Sequence, residues 1–88
     1  EVIRINSQGQ VGIGIVNPAR KLDVEGNGRF TDTLEVETTT GAFVPPRMTS
    51  TQRDALTPAA GWTIYNTSTN KINFYNGSSW RAVSDVAA

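Results

Sequence analysis

The sequence contains no cysteine and no histidine. These two absences remove the commonest zinc ligands, thiol nucleophiles and imidazole bases, and they leave no disulfide to staple a small fold. An excess of one charge is missing too, since eight basic residues balance eight acidic ones and neither sign forms a block. That argues against the electrostatic footprint of a nucleic-acid binder and against a polybasic membrane patch. No apolar run approaches the roughly 20 residues that span a bilayer, and no signal peptide is visible.

What remains is small. Eighty-eight residues allow one domain or two modules sharing a core. A compact monomer of this mass would bury roughly 8,700 Å² on folding, about 5,000 Å² of it apolar and worth roughly 125 kcal/mol, while ordering the chain costs roughly 130 kcal/mol. The terms cancel, so other copies of the chain are expected to complete the core. Glu1 in place of a methionine leads to the expectation of a fragment or processed product. Absent cysteine suits an extracellular or virion protein, and many cytosolic ones equally.

The chain is organised around Gly41-Ala42-Phe43-Val44-Pro45-Pro46-Arg47-Met48. Two adjacent prolines lack amide hydrogens and have fixed φ, which excludes a central strand or a helix interior and predicts an extended strut. Residues 1–40 are expected to be a fibrous β segment of short strands, 41–48 an ordered joint, 49–83 a small knob, and 84–88 a tail. In the first part Val2–Ile5 is a β-type run. Val11, Ile13 and Ile15 alternate with Gly12 and Gly14, which predicts a strand with one buried face and close backbone approach on the other. Lys21–Glu25 alternates again, Gly26-Asn27-Gly28 offers a tight reversal, and Arg29–Glu37 is expected to follow as a strand. Phe30, Leu34 and Val36 share one face of that run, with Asp32 breaking the pattern. Leu22-Asp23-Val24-Glu25 is echoed by Leu34-Glu35-Val36-Glu37, which fits two strands of similar pattern better than a solenoid.

Beyond the joint, Thr49 and Gln52 fit a capping box for a helix over residues 50–56, with Pro58 just past its end. So short a helix must pack on something, and Leu56 and Ala55 are the candidates. Trp62–Tyr65, Ile72–Tyr75 and Trp80–Val83 read as a three-stranded antiparallel meander, with Asn66–Asn70 as a polar turn and Asn76-Gly77 as a hairpin signal.

Chemistry is sparse. Asp23 with Glu25, and Glu35 with Glu37, place paired carboxylates on strand faces. They could serve calcium or glycosidase chemistry, but a solvated face explains them better. No metal, cofactor or catalytic residue is assigned. Trp62, Phe74 and Trp80 are expected to form the knob's core, with a sugar-stacking platform of Tyr75, Asn76 and Trp80 as the alternative. The turns at Thr67–Asn70 and Asn76–Ser79 are where receptor contact would fall. Asn66-Thr67-Ser68 and Asn76-Gly77-Ser78 match the glycosylation sequon, but turn chemistry already explains both asparagines. Arg47 is expected either to bond backbone carbonyls or to reach a neighbouring chain.

Val11-Gly12-Ile13-Gly14, Asn17-Pro18, Lys21-Leu22-Asp23-Val24 and Gly26 together resemble a motif of bacteriophage tail-fibre proteins, found also in large bacterial surface proteins of similar build. The chain departs from it at Ile15-Val16, where small hydroxyl residues are more usual. The second half is similar to a companion module of those proteins through Phe43, Pro45–Thr49, Gln52-Arg53, Gly61, Ile64–Asn66, Asn70-Lys71, Tyr75–Gly77 and Trp80. The resemblance implies a mainly β, intertwined, parallel homotrimer with its aliphatic strand faces at the three-fold axis. Val24, Phe30, Leu34 and Val36 are its expected shared core, and Phe43, Pro45, Pro46, Arg47 and Met48 its joint, with Phe43 and Met48 buried. The implied role is structural and adhesive rather than enzymatic: a segment of a tail fibre or virion appendage that touches other tail proteins and a host glycan or protein receptor. No nucleic acid, membrane insertion or cofactor is implied. The alternatives are an adhesion module of a bacterial cell surface and, from a different class, a glycan-cleaving spike.

Overall fold

The computed structural model describes residues 3–86. It is mainly β and divides into two compact units, Glu1–Glu35 and Val36–Ala88, each of which has its own sheet. Val2, at the head of the first expected strand, and Ala87 and Ala88, at the end of the expected tail, lie outside the described residues.

In the first unit, β1 (Ile3–Ile5), β2 (Val11–Ile13) and β3 (Leu22–Val24) form a sheet in that order, antiparallel between β1 and β2 and parallel between β2 and β3. The loop between β1 and β2 is built on Asn6, whose side-chain oxygen accepts from the amides of Gln8 and Gln10 while its amide donates to Gln10. Asp23 organises the next loop by accepting from the Ala19 amide at 2.9 Å. The alternating glycines of β2 are explained by close approach. A Cβ on Gly12 would stand 2.5 Å from the Ile15 carbonyl oxygen. Gly14 has φ +75°, and a Cβ there would stand 2.9 Å from the Glu25 carbonyl oxygen.

The expected strand over Arg29–Glu37 does not form, and Gly26–Gly28 therefore closes no hairpin. A single alternating run has no ladder to join unless something pairs with it. Asp32 instead makes a local bond, accepting from the Thr33 amide at 2.8 Å. At the start of the second unit, the Thr38 hydroxyl accepts from the amides of Thr40 and Gly41.

The second unit contains a four-stranded sheet rather than a three-stranded meander. Strands β5 (Thr63–Asn66), β6 (Lys71–Tyr75) and β7 (Trp80–Ala82) are antiparallel, as expected, and β4 (Arg47–Met48) adds to β5 in parallel. The proline joint thus ends as an edge strand, a place where missing amide hydrogens cost nothing. The Pro46 carbonyl accepts from the Tyr65 amide at 2.8 Å, and the Met48 carbonyl from Thr67 at 2.8 Å.

Helix α1 (Ser50–Asp54) starts with the expected capping box: the Thr49 hydroxyl accepts from the Gln52 amide, and the Gln52 side chain accepts from the Thr49 amide. It ends earlier than expected, since the amides of Ala55 and Leu56 bond three residues back, to Gln52 and Arg53. Leu56 is half-buried and Ala55 exposed. The helix contacts the sheet chiefly through polar side chains, described below.

The β6–β7 hairpin is present, but its turn spans four residues rather than two. Asn76 accepts at its side-chain oxygen from the amides of Ser78 and Ser79, and Gly77 takes φ +98°.

Candidate functional site

Strand register decides which side chains share a face. In the first sheet, Ile3 lies opposite Ile13, which lies opposite Val24; Ile5 lies opposite Val11, which lies opposite Leu22. Six aliphatic side chains therefore occupy one face. Arg4, Gly12 and Asp23 align on the other, where Gly12 is buried beneath the loop that carries Ile15. The aliphatic face is open. Leu22 is 61% exposed, and Ile3, Ile5, Ile13 and Val24 are exposed with it.

Val24 is the one expected core residue that joins this face. Phe30, Leu34 and Val36 lie outside any strand and are exposed within one chain. Ile3, Ile5, Val11, Ile13 and Leu22 were missing from the expected core set. Their alternation was legible, but the parallel pairing of β3 onto β2 was not, and that pairing is what joins them into one surface.

In the second sheet, the inner face is closed by α1 through a polar cluster. The Asn66 carboxamide nitrogen donates to Asn73 at 2.9 Å and to the Ser50 hydroxyl at 3.0 Å, while its oxygen accepts from the amides of Ser68 and Thr69. Arg53 donates to the same Asn73 oxygen at 3.1 Å. Asn66 has 0% exposure, so the residue expected to open a solvated turn is the most buried on the sheet. Its nitrogen is committed to those two bonds, which leaves the sequon at Asn66 without an accessible amide.

The expected aromatic core is corrected by the same register. Phe74 pairs with Thr63 and Arg81, whereas Trp80 pairs with Tyr75, so Phe74 lies on the opposite face from Trp80. Ile64 is the buried hydrophobic residue among those described. Trp62 is 45% exposed, and Tyr75 and Trp80 are half-buried. Tyr75 meets Trp80 edge-on, with ring centroids 5.4 Å apart and planes at 66°, and the Arg53 guanidinium lies 5.9 Å from the Trp80 ring centroid.

In the joint, Phe43 is 67% exposed rather than buried within its own chain, Met48 and Pro45 are half-buried, and Pro46 and Arg47 are exposed. No hydrogen bond to a described residue holds the Arg47 guanidinium.

The tail is anchored as far as Asp85. The Val83 amide donates to the Ile72 carbonyl, and the Lys71 ammonium donates to Asp85 at 2.6 Å, which holds that carboxyl below the usual aspartate range. The paired carboxylates gather no ligand set: among the described residues no group of three or more acidic side chains is placed to hold a metal ion. No helix of the described residues is long and apolar enough to cross a membrane.

These surfaces belong to a chain with recognisable kin. A family model described as a phage tail like trimerisation region matches residues 12–88, which covers both sheets apart from β1 and the first residue of β2. No curated protein and no solved structure matches the chain.

Proposed function

We propose a structural function from one premise, that this chain belongs to the phage tail-like trimerisation family. A trimeric, tail-fibre-like structural role follows from that membership. In the proposed arrangement three copies bring the aliphatic faces of their first sheets together around a common axis. The exposed run with Phe30, Leu34 and Val36 gains neighbours it lacks within one chain. The assembly forms part of a tail fibre or comparable virion appendage, and its three-fold symmetry multiplies any weak contact made with a host surface.

The observation that carries this reading is the open face of Ile3, Ile5, Val11, Ile13, Leu22 and Val24. Apolar patches of that kind on a soluble chain mark contact surfaces.

The proposed role is not catalytic. The Tyr75–Trp80 pair and its Arg53 contact support a packing use of these aromatics, and Asn76 spends its carbonyl on its own turn.

The test is mass in solution. Sedimentation equilibrium of the wild-type chain is expected to give three times the chain mass, and Leu22→Asp, which changes a side chain exposed within one copy, is expected to lower that mass and the thermal stability together. A stably folded wild-type monomer would refute the proposal.

A further inference from the structure

The first sheet's open face leaves one surface of the second unit without a use. The inner face of β5–β7 is closed by α1, but the outer face carries Tyr65, Ile72, Phe74 and Val83, and among the described residues only the tail lies against it. Ile72 and Val83 are exposed, and Phe74 is 38% exposed. With Val86 and the tail, Tyr65, Ile72 and Val83 line an open apolar depression of about 330 Å³. Resting on the trimeric reading above, we propose that this outer face is a second subunit contact, occupied by the same face of the other two copies, with Ile72 and Phe74 nearest the three-fold axis.

The layout of the face supports a protein surface as its occupant. Strand β6 is interior to the sheet, so its outward residues Ile72 and Phe74 are central, while Thr63 and Arg81 lie beside Phe74 on the flanking strands. An apolar centre with a polar border is the usual anatomy of a subunit contact.

Some of the polar groups around the depression are paired with one another. Lys71 is neutralised by Asp85, and the Tyr65 hydroxyl lies 3.5 Å from the Asn70 side-chain oxygen. The Lys71–Asp85 pair itself brings no net charge to the contact.

The trimerisation match runs through all of β4–β7. The second unit is then part of the trimer's body and not a free knob presenting its whole surface to a receptor.

The absence of native cysteine gives a clean test. Ile72→Cys places a single thiol at the centre of the face, and Ser78→Cys places one in the β6–β7 turn as a control. Under mild oxidation, Ile72→Cys is expected to give covalent dimers on a non-reducing gel at several times the yield of the control. In a parallel measurement Phe74→Asp is expected to lower the solution mass below that of the trimer while the β signal in circular dichroism persists. A wild-type trimer in which Ile72→Cys links no better than Ser78→Cys, or in which Phe74→Asp keeps full trimer mass, would overturn this contact and leave the trimer standing. A wild-type monomer would remove both.

Discussion

Asn66 and Asn73, on adjacent strands and diagonal to one another, share a hydrogen bond of 2.9 Å at the centre of the second unit's inner face. Asn73 also receives Arg53, so one carbonyl oxygen ties β5 and α1 to β6. The core of this unit is specified by direction as much as by apolar area. A buried amide satisfied on all sides rigidifies its surroundings, and one left unsatisfied is costly.

Asn66→Ala removes two donated bonds and two accepted ones at a site with no water access. The expected loss is at least about 2 kcal/mol of unfolding free energy, since each orphaned buried polar group costs about 1–3 kcal/mol. Urea denaturation followed by tryptophan fluorescence measures it, and a midpoint equal to wild type would contradict the polar-core account.

Thr49→Ala breaks both halves of the capping box, for its hydroxyl accepts from Gln52 and its orientation lets Gln52 reach back. A helix of five residues has little else to begin it. The expected cost is about 1 kcal/mol. Gln52→Ala should cost less, because the Thr49 hydroxyl bond survives. The two variants compared by denaturant midpoint check the ranking.

Gly12→Ala and Gly28→Ala form a contrasting pair. The first drives a methyl group to 2.5 Å from the Ile15 carbonyl oxygen, while the second meets nothing within 4 Å. Gly12→Ala is expected to distort β2 and weaken assembly. Gly28→Ala should stay within about 0.5 kcal/mol of wild type, as surface substitutions away from special features usually do. Thermal melts of the two variants at matched concentration separate them, and equal behaviour would count against close packing at Gly12.

Asp85 offers a pH test. Its hydrogen bond to Lys71 comes first among the causes that lower its pKa below 3.8. A depressed carboxyl contributes stability above its unfolded pKa and loses it as pH falls through the folded value. The tail's attachment is therefore expected to persist through neutral and mildly acidic pH and to weaken only in stronger acid. NMR titration of the Asp85 carboxyl should show the lowered midpoint, and Lys71→Ala should return it towards the ordinary aspartate value. The pair is solvent-exposed, so added salt should shrink the shift.

Much of the second unit was legible in its residues, because capping and turn signals act over three or four positions. The Thr49–Gln52 box is an example. The three antiparallel strands likewise follow from alternation and intervening turns. Which face each strand turns inward was not legible. Size alone makes Trp62, Phe74 and Trp80 a core, but the four-residue turn at Asn76–Ser79 and the pairing of Ile64 with Asn73 place Phe74 outside. A change of face depends on register, and register is a long-range property.

The first unit shows the same limit. Gly12 and Gly14 declared a close approach, yet the partners on which they close, the Ile15 carbonyl for Gly12 and the Glu25 carbonyl beyond β3 for Gly14, were not legible. The run from Arg29 to Glu37 has a strand's alternation and no strand within one chain.

Pro45 and Pro46 bring the second sheet to a stop. They lead directly into β4, which is two residues long and forms the sheet's edge. A strand edge normally offers a row of amide hydrogens to any passing chain, and here the approach to that row is blank. Sideways growth by strand addition is discouraged along this border, while face-to-face association stays open. A particle that needs three chains, and not an indefinite ribbon of them, is served by a border that discourages further strands.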